Sequence, residues 1–402
     1  MQIRSTTEAD LPAYLRTLSD AFGVMWHADD PPWWAAYEMG RNLFAEDAAG
    51  RPIGVAGAFT LELTLPGGAL APVAGITGVG VLPTHRRQGV LTALMRHQLA
   101  QLRDAGEYLA VLQASEAVIY RRYGYGPASA RLQCAVPRHL GAFATPPAPG
   151  GSLELHYREE CGELLAEVYD RYRLTRPGAL SRPERWWTGG ASRPPVSHAP
   201  RQIAFHRDAD GRAQGYACYT VAATDPLHGT RTLTVEELVA ATDEAEAALV
   251  RFCLDHDLVA TVVFANLPPQ SPLRWRFADS RALRTESERD GLWVRLLDVP
   301  RALEARRYLA GGRLVVEVAD PFLEEHGRYL LTVSGGVGHC RRTELAAELA
   351  LDISDLGALY LGGTAASTLV RAGRIRELRP GAALEADALL RAERPPHCVH
   401  WF

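Results

Sequence analysis

Thr77-Gly78-Val79-Gly80-Val81-Leu82-Pro83-Thr84-His85-Arg86-Arg87-Gln88-Gly89-Val90-Leu91-Thr92 is the stretch that organises the reading of this 402-residue chain. It reads as a strand, a short loop and the start of a helix. Leu91, Leu94, Met95, Leu99 and Leu102 recur at helical spacing, and Gly106 offers a stop. A loop that opens a helix presents backbone N–H groups without intrahelical partners at the positive end of the helix dipole. Gly89 lets a diphosphate approach those groups closely, and Arg86 and Arg87 add positive charge. The plainer alternative is an ordinary strand–turn–helix with a solvated arginine pair.

Working outward, the first 135 residues or so read as an α/β unit. Gln2–Ser5 is a short strand, and Thr7 with Asp10 forms a capping-box-like start for a helix whose stripe is Leu11, Tyr14, Leu15, Leu18 and Phe22. Leu43–Glu46, Pro52–Leu65 and Ala71–Leu82 read as strands, with turns at Asp47–Gly50 and Gly67-Gly68. Part of this pattern returns after the Pro/Gly-rich stretch Thr145–Gly151. Phe44, Asp47, Ala48, Gly50, Arg51 and Gly54 recur as Phe205, Asp208, Ala209, Gly211, Arg212 and Gly215, at a constant offset of 161 residues. A strand at Arg231–Ala240, an amphipathic segment from Glu244 to His256 and a buried-strand pattern at Leu258–Phe264 follow, in the order of the first unit. From Asp298 strands such as Arg313–Val318 and Arg328–Val333 precede helical segments near Ser354–Leu361, Ala365–Ala372 and Ala383–Ala392, which predicts an α+β domain. The expected division is 1–145, 146–297 and 298–402.

Composition removes several function classes. Forty-seven acids against 43 bases give a net charge of −4, which excludes an overall basic nucleic-acid binder. All 43 basic residues are arginine, so neither a Walker-type phosphate loop nor a lysine Schiff base is available. No apolar run is long enough to span a membrane, and Met1–Glu8 lacks a signal-peptide pattern, so a cytoplasmic location is expected. The six cysteines lack C-x-x-C spacing and read as reduced thiols, without a metal site.

Beyond the helix, Glu107–Ala114 reads as a strand, followed by Ser115-Glu116-Ala117-Val118-Ile119-Tyr120-Arg121-Arg122-Tyr123-Gly124-Tyr125-Gly126. Arg86-x-x-Gly89-x-Leu91, downstream of Val79-x-Val81-x-Pro83, resembles the acyl-CoA pyrophosphate motif of the GNAT superfamily of N-acyltransferases. Leu91 stands where that superfamily prefers Gly or Ala. Tyr120, Gly124 and Tyr125 resemble its later motif, in which a tyrosine stands four residues before Gly-aromatic. The whole chain is similar to the enhanced intracellular survival (Eis) family, through Pro83-Thr84-His85-Arg86-Arg87-x-Gly89, Ala114-Ser115-Glu116 and the terminal aromatic Phe402. The resemblance implies tandem GNAT-type domains, the second degenerate, followed by a sterol-carrier-like domain, and a hexameric assembly.

It also implies an acetyl-CoA-dependent N-acetyltransferase. Val79, Gly80 and Val81, then Arg86, Arg87, Gln88, Gly89, Val90, Leu91 and Thr92, would bind acetyl-CoA, with Ser115 and Glu116 beside the thioester arm. The strand carrying Val79 and Val81 is expected to splay from its neighbour and free a backbone N–H for the tetrahedral oxyanion. Tyr120, with an ordinary pKa near ~10, is the expected acid for the leaving thiolate; packing on the core is its other reading. The Phe402 carboxylate is the base by resemblance, while Trp401 and Phe402 as a plug over apolar surface is the alternative. Small-molecule amines such as aminoglycosides, or protein lysines, are the implied acceptors. Asp29, Asp30, Trp33 and Trp34 suit a cationic amine or, equally, a solvated loop. In the second unit Asp243, Glu244 and Glu246 stand where phosphates would sit, so loss of CoA binding is expected there. His397, Cys398 and His400 are weak metal candidates, and His85 reads as a loop residue. The competing class is a lipid- or ligand-binding carrier with a vestigial acyltransferase domain, against which the Arg-Gly loop and Tyr120 argue.

Overall fold

The turn at Asp47–Gly50 explains why the chain builds similar units twice. In this computed structural model, which describes residues 1–24, 37–146, 150–188, 202–225 and 229–402, the Asp47 carboxylate accepts hydrogen bonds from the backbone N–H groups of Ala49 and Arg51, both at 2.9 Å. Asp208 likewise accepts from Asp210 at 3.1 Å and Arg212 at 2.9 Å. Gly50 and Gly211 close the two turns at φ 73° and 79°. An Asx-type turn closed by a left-handed glycine sets the register of the strands it joins. The six-residue repeat is therefore the same hairpin made twice.

The first hairpin belongs to a sheet built from β1 (Gln2–Ser5), β2 (Leu43–Glu46), β3 (Pro52–Thr64), β4 (Leu70–Val81), β5 (Leu109–Gln113) and β6 (Gly126–Pro127). The second belongs to a sheet built from β7 (Ala130–Pro137), β8 (Ser152–Tyr157), β9 (Gln202–Arg207), β10 (Ala213–Asp225), β11 (Thr230–Ala240), β12 (Val259–Leu267) and β13 (Arg284–Asp290). One more strand, β14 (Leu292–Leu296), crosses back. The sheets run β1-β2-β3-β4-β5-β14-β6 and β8-β9-β10-β11-β12-β7-β13. Each takes its sixth strand from the other half of the chain. The boundary expected near residue 145 thus follows the linear sequence and not the sheets: Ala130–Pro137 lies in the second sheet and Leu292–Leu296 in the first. Every residue of β14 is buried, paired with β5 from Leu292↔Gln113 to Leu296↔Leu109. A strand buried on both faces belongs in a sheet interior.

Two helices frame the first sheet, α1 (Leu11–Phe22) and α2 (Val90–Asp104). β4 carries an extra residue: its pairing with β3 steps from Gly57↔Thr77 to Val55↔Gly80, and Gly78 takes φ 56°. Glycine suits this bulge twice over, because a Cβ at position 78 would also stand 3.0 Å from the Tyr37 hydroxyl. Parallel pairing of β4 with β5 stops at Ile76↔Leu112. Beyond it the strands diverge, as expected from the sequence, and the β5-facing edge of Thr77–Val81 has no strand partner among the described residues.

The third unit begins where Asp298 caps the helix Val299–Ala305, its carboxylate accepting from the Arg301 N–H at 3.1 Å. Its sheet runs β17-β16-β15-β18-β19, from β15 (Gly312–Asp320), β16 (Glu325–Ser334), β17 (Val337–Arg342), β18 (Leu349–Asp352) and β19 (Arg376–Glu377). The three helical segments read from sequence occupy Ile353–Tyr360, Ala366–Arg371 and Ala382–Leu390. The first of them is buried throughout and packs so closely on the first sheet that a side chain at Gly126 would overlap the Ser354 carbonyl. Side chains from β3, β5, β14 and the third sheet share one apolar core.

Arg295 of β14, fully buried, forms an ion pair with Asp320 of β15 and locks the third unit onto the first. Arg295→Met, which leaves the Asp320 carboxylate buried without its cation, should lower stability by about 3–5 kcal/mol in urea titrations. The double variant Arg295→Met/Asp320→Leu should recover most of that loss.

Candidate active site

The geometry around the Arg-Gly loop follows from two backbone facts. Gly89 is the N-cap of α2, with φ 83° and ψ −1°, and no side chain caps the helix start. A Cβ at Gly89 would meet nothing within 4 Å, so open space lies directly before the first N–H groups of a 15-residue helix. Val79, Gly80, Val81, Arg86, Arg87, Gly89, Val90, Leu91, Thr92, Ser115 and Glu116 line one cleft of about 790 Å³ in front of that helix end. Gln88, expected among them, does not line it; its amide donates to the Thr84 carbonyl at 3.3 Å. Leu91 contributes to the cleft wall and not to the buried stripe of α2. Arg86 donates to the Ala21 carbonyl at 2.9 Å and so ties the loop to the end of α1. Arg87, at φ 61°, lines the cleft beside it. Arg122, which the motif reading passed over, lines the same cleft with its guanidinium 6.0 Å from the Tyr123 ring centroid. The adjoining Arg121-Arg122 pair was the available signal.

A second cavity, of about 250 Å³, adjoins the first across Phe22, Val79 and Ser115, which line both. Tyr120 and Phe402 lie in its wall. Tyr120 ends the short helix Ala117–Tyr120, is 8% exposed and packs edge-on to Tyr125 at 6.1 Å. Burial, then Tyr123 and Glu116, push its hydroxyl pKa up to about 12, so the group keeps its proton at neutral pH. Gly124, at φ 80°, closes the turn over Arg295, where a Cβ would overlap the guanidinium.

The last residues reach this cavity along a polar track supplied mostly by the second unit. His397 donates its backbone N–H to the Pro177 carbonyl at 2.8 Å. Its ring engages Asn266 Oδ1 at 2.8 Å and the Tyr172 hydroxyl at 3.3 Å. Burial lowers its pKa to about 3, so the ring is neutral, donating to Asn266 and accepting from Tyr172. Gln113 donates to the His400 carbonyl at 2.5 Å. Arg182 donates to His400 Nδ1 at 3.1 Å and to the Val399 carbonyl at 3.3 Å, and pairs with Glu237 at 2.7 Å. Beyond His400, whose ring is buried and neutral, the Phe402 ring stacks at 5.8 Å and presses on Gly75, where a Cβ would lie 3.1 Å from it. His397 and His400 are thus tail anchors. Asp29, Asp30, Trp33 and Trp34 lie outside the described residues.

This arrangement can be set beside known proteins. Family models described as acetyltransferase (GNAT) domain match residues 2–128 and 178–296, and a sterol carrier protein domain model matches 299–399. The chain is 37% identical to the N-acetyltransferase Eis of Mycobacterium tuberculosis over 336 residues, which are 81% of this chain and 79% of that one. It is 35% identical to an N-acetyltransferase of Streptomyces griseus across 100% of both chains. The crystal structure of Eis1 from Mycobacterium abscessus superimposes with a TM-score of 0.89 at 34% identity, covering 100% of both chains.

The chain belongs to the Eis family of GNAT N-acetyltransferases.

In this Eis-type enzyme the second GNAT unit keeps the divergence of its central strands and has a different helix start. β11 pairs with β12 only as far as Val235↔Phe264, yet continues with β10 to Ala240. The helix Asp243–Leu254 is capped by Thr242, whose hydroxyl accepts from the Ala245 N–H at 3.2 Å. Asp243, Glu244 and Glu246 fill its first turn. An N–H already capped and three carboxyl groups oppose an anionic ligand. Arg182, Tyr172 and Asn266, all from this unit, hold the tail instead, with Glu237 paired to Arg182; sequence reading missed them because no local motif marks a contact made across 130 residues or more.

Arg182→Met should release the tail. Hydrogen exchange at the backbone amides of Cys398–Phe402 should quicken by about tenfold or more, with the β5 amides unchanged. Equal protection in variant and parent would show that other contacts hold the segment.

Proposed function

We propose that this N-acetyltransferase transfers an acetyl group from acetyl-CoA to a small-molecule or peptide amine, with Tyr120 as acid and the Phe402 α-carboxylate as base. The observation that carries this reading is the junction of the two cavities at Val79 and Ser115, between the uncapped start of α2 and the wall containing Tyr120 and Phe402. The residues suit a CoA diphosphate: an open space at Gly89, unpaired N–H groups and cationic Arg87 at the cleft. Acetyl-CoA supplies the activated thioester. Gly89, Val90, Leu91 and Thr92 hold the diphosphate, the free edge of Val79–Val81 takes the pantetheine arm, and Ser115 and Glu116 flank it. An N–H on that edge, fixed before the reaction starts, stabilises the oxyanion. Tyr120 donates a hydrogen bond to the sulfur as negative charge builds there and then its proton as the C–S bond breaks. The Phe402 carboxylate receives the proton of the attacking amine. A homohexamer and a cytoplasmic location complete the reading through the family; among the described residues no helix is long and apolar enough to cross a membrane.

The decisive assay is thiol release from acetyl-CoA by untagged protein with an amine panel. Tyr120→Phe should lower kcat by about 100-fold or more while the Kd for acetyl-CoA stays within about twofold. Because burial pushes the Tyr120 hydroxyl up to about 12, the acid form persists as pH rises, and kcat/KM should not fall between about pH 7 and 10. A decline in that window would assign the acid to another group. Extending the chain beyond Phe402 with a short tag should cut turnover and leave acetyl-CoA affinity nearly intact; unchanged turnover would remove the carboxylate from the mechanism.

A further inference from the structure

We infer that Asp355, a buried carboxylate of the third unit, is a positioning residue for acyl transfer: through Arg121 it holds the turn that carries Tyr120. This rests on the acyl-transfer reading above and gives the third unit a second part in the reaction centre, beside Phe402. Tyr120 closes a helix of only four residues, Ala117–Tyr120, and one 3₁₀ turn, Arg121–Tyr123, follows it. Segments so short have too few hydrogen bonds of their own to fix a side chain, so their direction comes from what packs on them.

The start of the helix Ile353–Tyr360 packs there. A Cβ at Gly124 would stand 2.9 Å from Ile353 Cγ2, so the turn and the helix are in close contact. Arg121 reaches the same helix start with its side chain: Nε donates to Ser354 Oγ at 3.4 Å, and Nη2 lies 3.6 Å from Asp355 Oδ2. Asp355 is fully buried, and Arg374 of its own unit also pairs with it. Burial raises the Asp355 carboxyl pKa, and the two guanidiniums oppose that, Arg374 more than Arg121. Arg374 thus keeps the buried carboxylate paired whether or not Arg121 is present. The half-exposed Arg121 joins a pair already in place and ties the residue after Tyr120 to a fixed anion. Held this way, Tyr120 stays buried edge-on to Tyr125, with Tyr123 and Glu116 as the ionisable neighbours that raise its pKa further. A turn released from Asp355 admits water to the hydroxyl, lets its pKa fall back toward the ordinary ~10 and loosens its aim at the leaving sulfur.

The test uses full-length untagged protein, acetyl-CoA and the fastest amine of the panel. Arg121→Gln should lower kcat about tenfold and leave the KM for acetyl-CoA within about twofold. The ratio of variant to parent kcat/KM should drop about twofold further between about pH 8 and 10, because only the variant's acid loses its proton in that range. Asp355→Asn should lower kcat by a similar factor, and combining it with Arg121→Gln should lower kcat no further, since both cut one contact. Arg103→Gln breaks a 2.6 Å ion pair to Glu325 that joins the same two units at the far end of α2, and it should leave kcat and the pH profile unchanged. An equal loss in Arg103→Gln would trace the effect to docking of the units as a whole and overturn the inference. Parent-like kcat and pH profile in Arg121→Gln, beside an inactive Tyr120→Phe, would overturn it and leave the acyl-transfer reading standing. Full activity in Tyr120→Phe would overturn both.

Discussion

Everything functional in this molecule depends on the end of hydrogen bonding between β4 and β5 at Ile76↔Leu112. Two parallel strands in register would satisfy each other's backbone groups and leave no opening. The bulge at Gly78 bends β4 away, so Thr77–Val81 presents an unpaired edge and Gln113 at the end of β5 is free to meet the tail. The cleft, the adjoining cavity and the docked Phe402 all occupy the wedge that this divergence opens. A side chain at Gly78 would meet both a left-handed backbone and the Tyr37 hydroxyl, so the opening is written into one residue's lack of a Cβ.

The second unit has the same wedge and a different occupant. Its helix start is capped and acidic, and its Arg182–Glu237 pair, buried at the guanidinium and half-buried at the carboxylate, faces the tail of the third unit. A buried pair of this kind contributes little net stability, because desolvation offsets the attraction. Its value here is directional: the guanidinium reaches His400 and the Val399 carbonyl together and orients the final residues. A unit without the Arg-Gly loop still shapes the cavity of its neighbour. The exchange of β7 and β14 between sheets keeps the two units in fixed relation, and Arg295 with Asp320 does the same for the third.

Much of this was legible in the residues. The Asp-x-x-Gly turns announced the duplicated hairpin, because an Asx-turn needs only local chemistry. Strand, loop and helix from Thr77 to Asp104 could be read from alternation, glycine and a 3.6-residue stripe. Tyr120, singled out by its spacing to Gly124-Tyr125, lines the cavity. Other features left no local trace. Gln88 looked like a cleft residue by adjacency, and its amide turns back to Thr84. β14 reads as a short apolar run with no sign of which sheet will receive it, and the tail anchors are scattered over four elements.

The sequence by itself determined the three-part architecture, the uncapped helix start behind Gly89 and the turn that carries Tyr120, since each depends on residues within a few positions of one another. Only the tertiary structure decided which strands trade places, that the second unit grips the tail, and that rings from both units enclose the space beyond Tyr120. The physical reason is range. Turn geometry, helix capping and periodicity act over a few residues, whereas strand pairing and burial choose partners by shape and polarity wherever the folded chain brings them together.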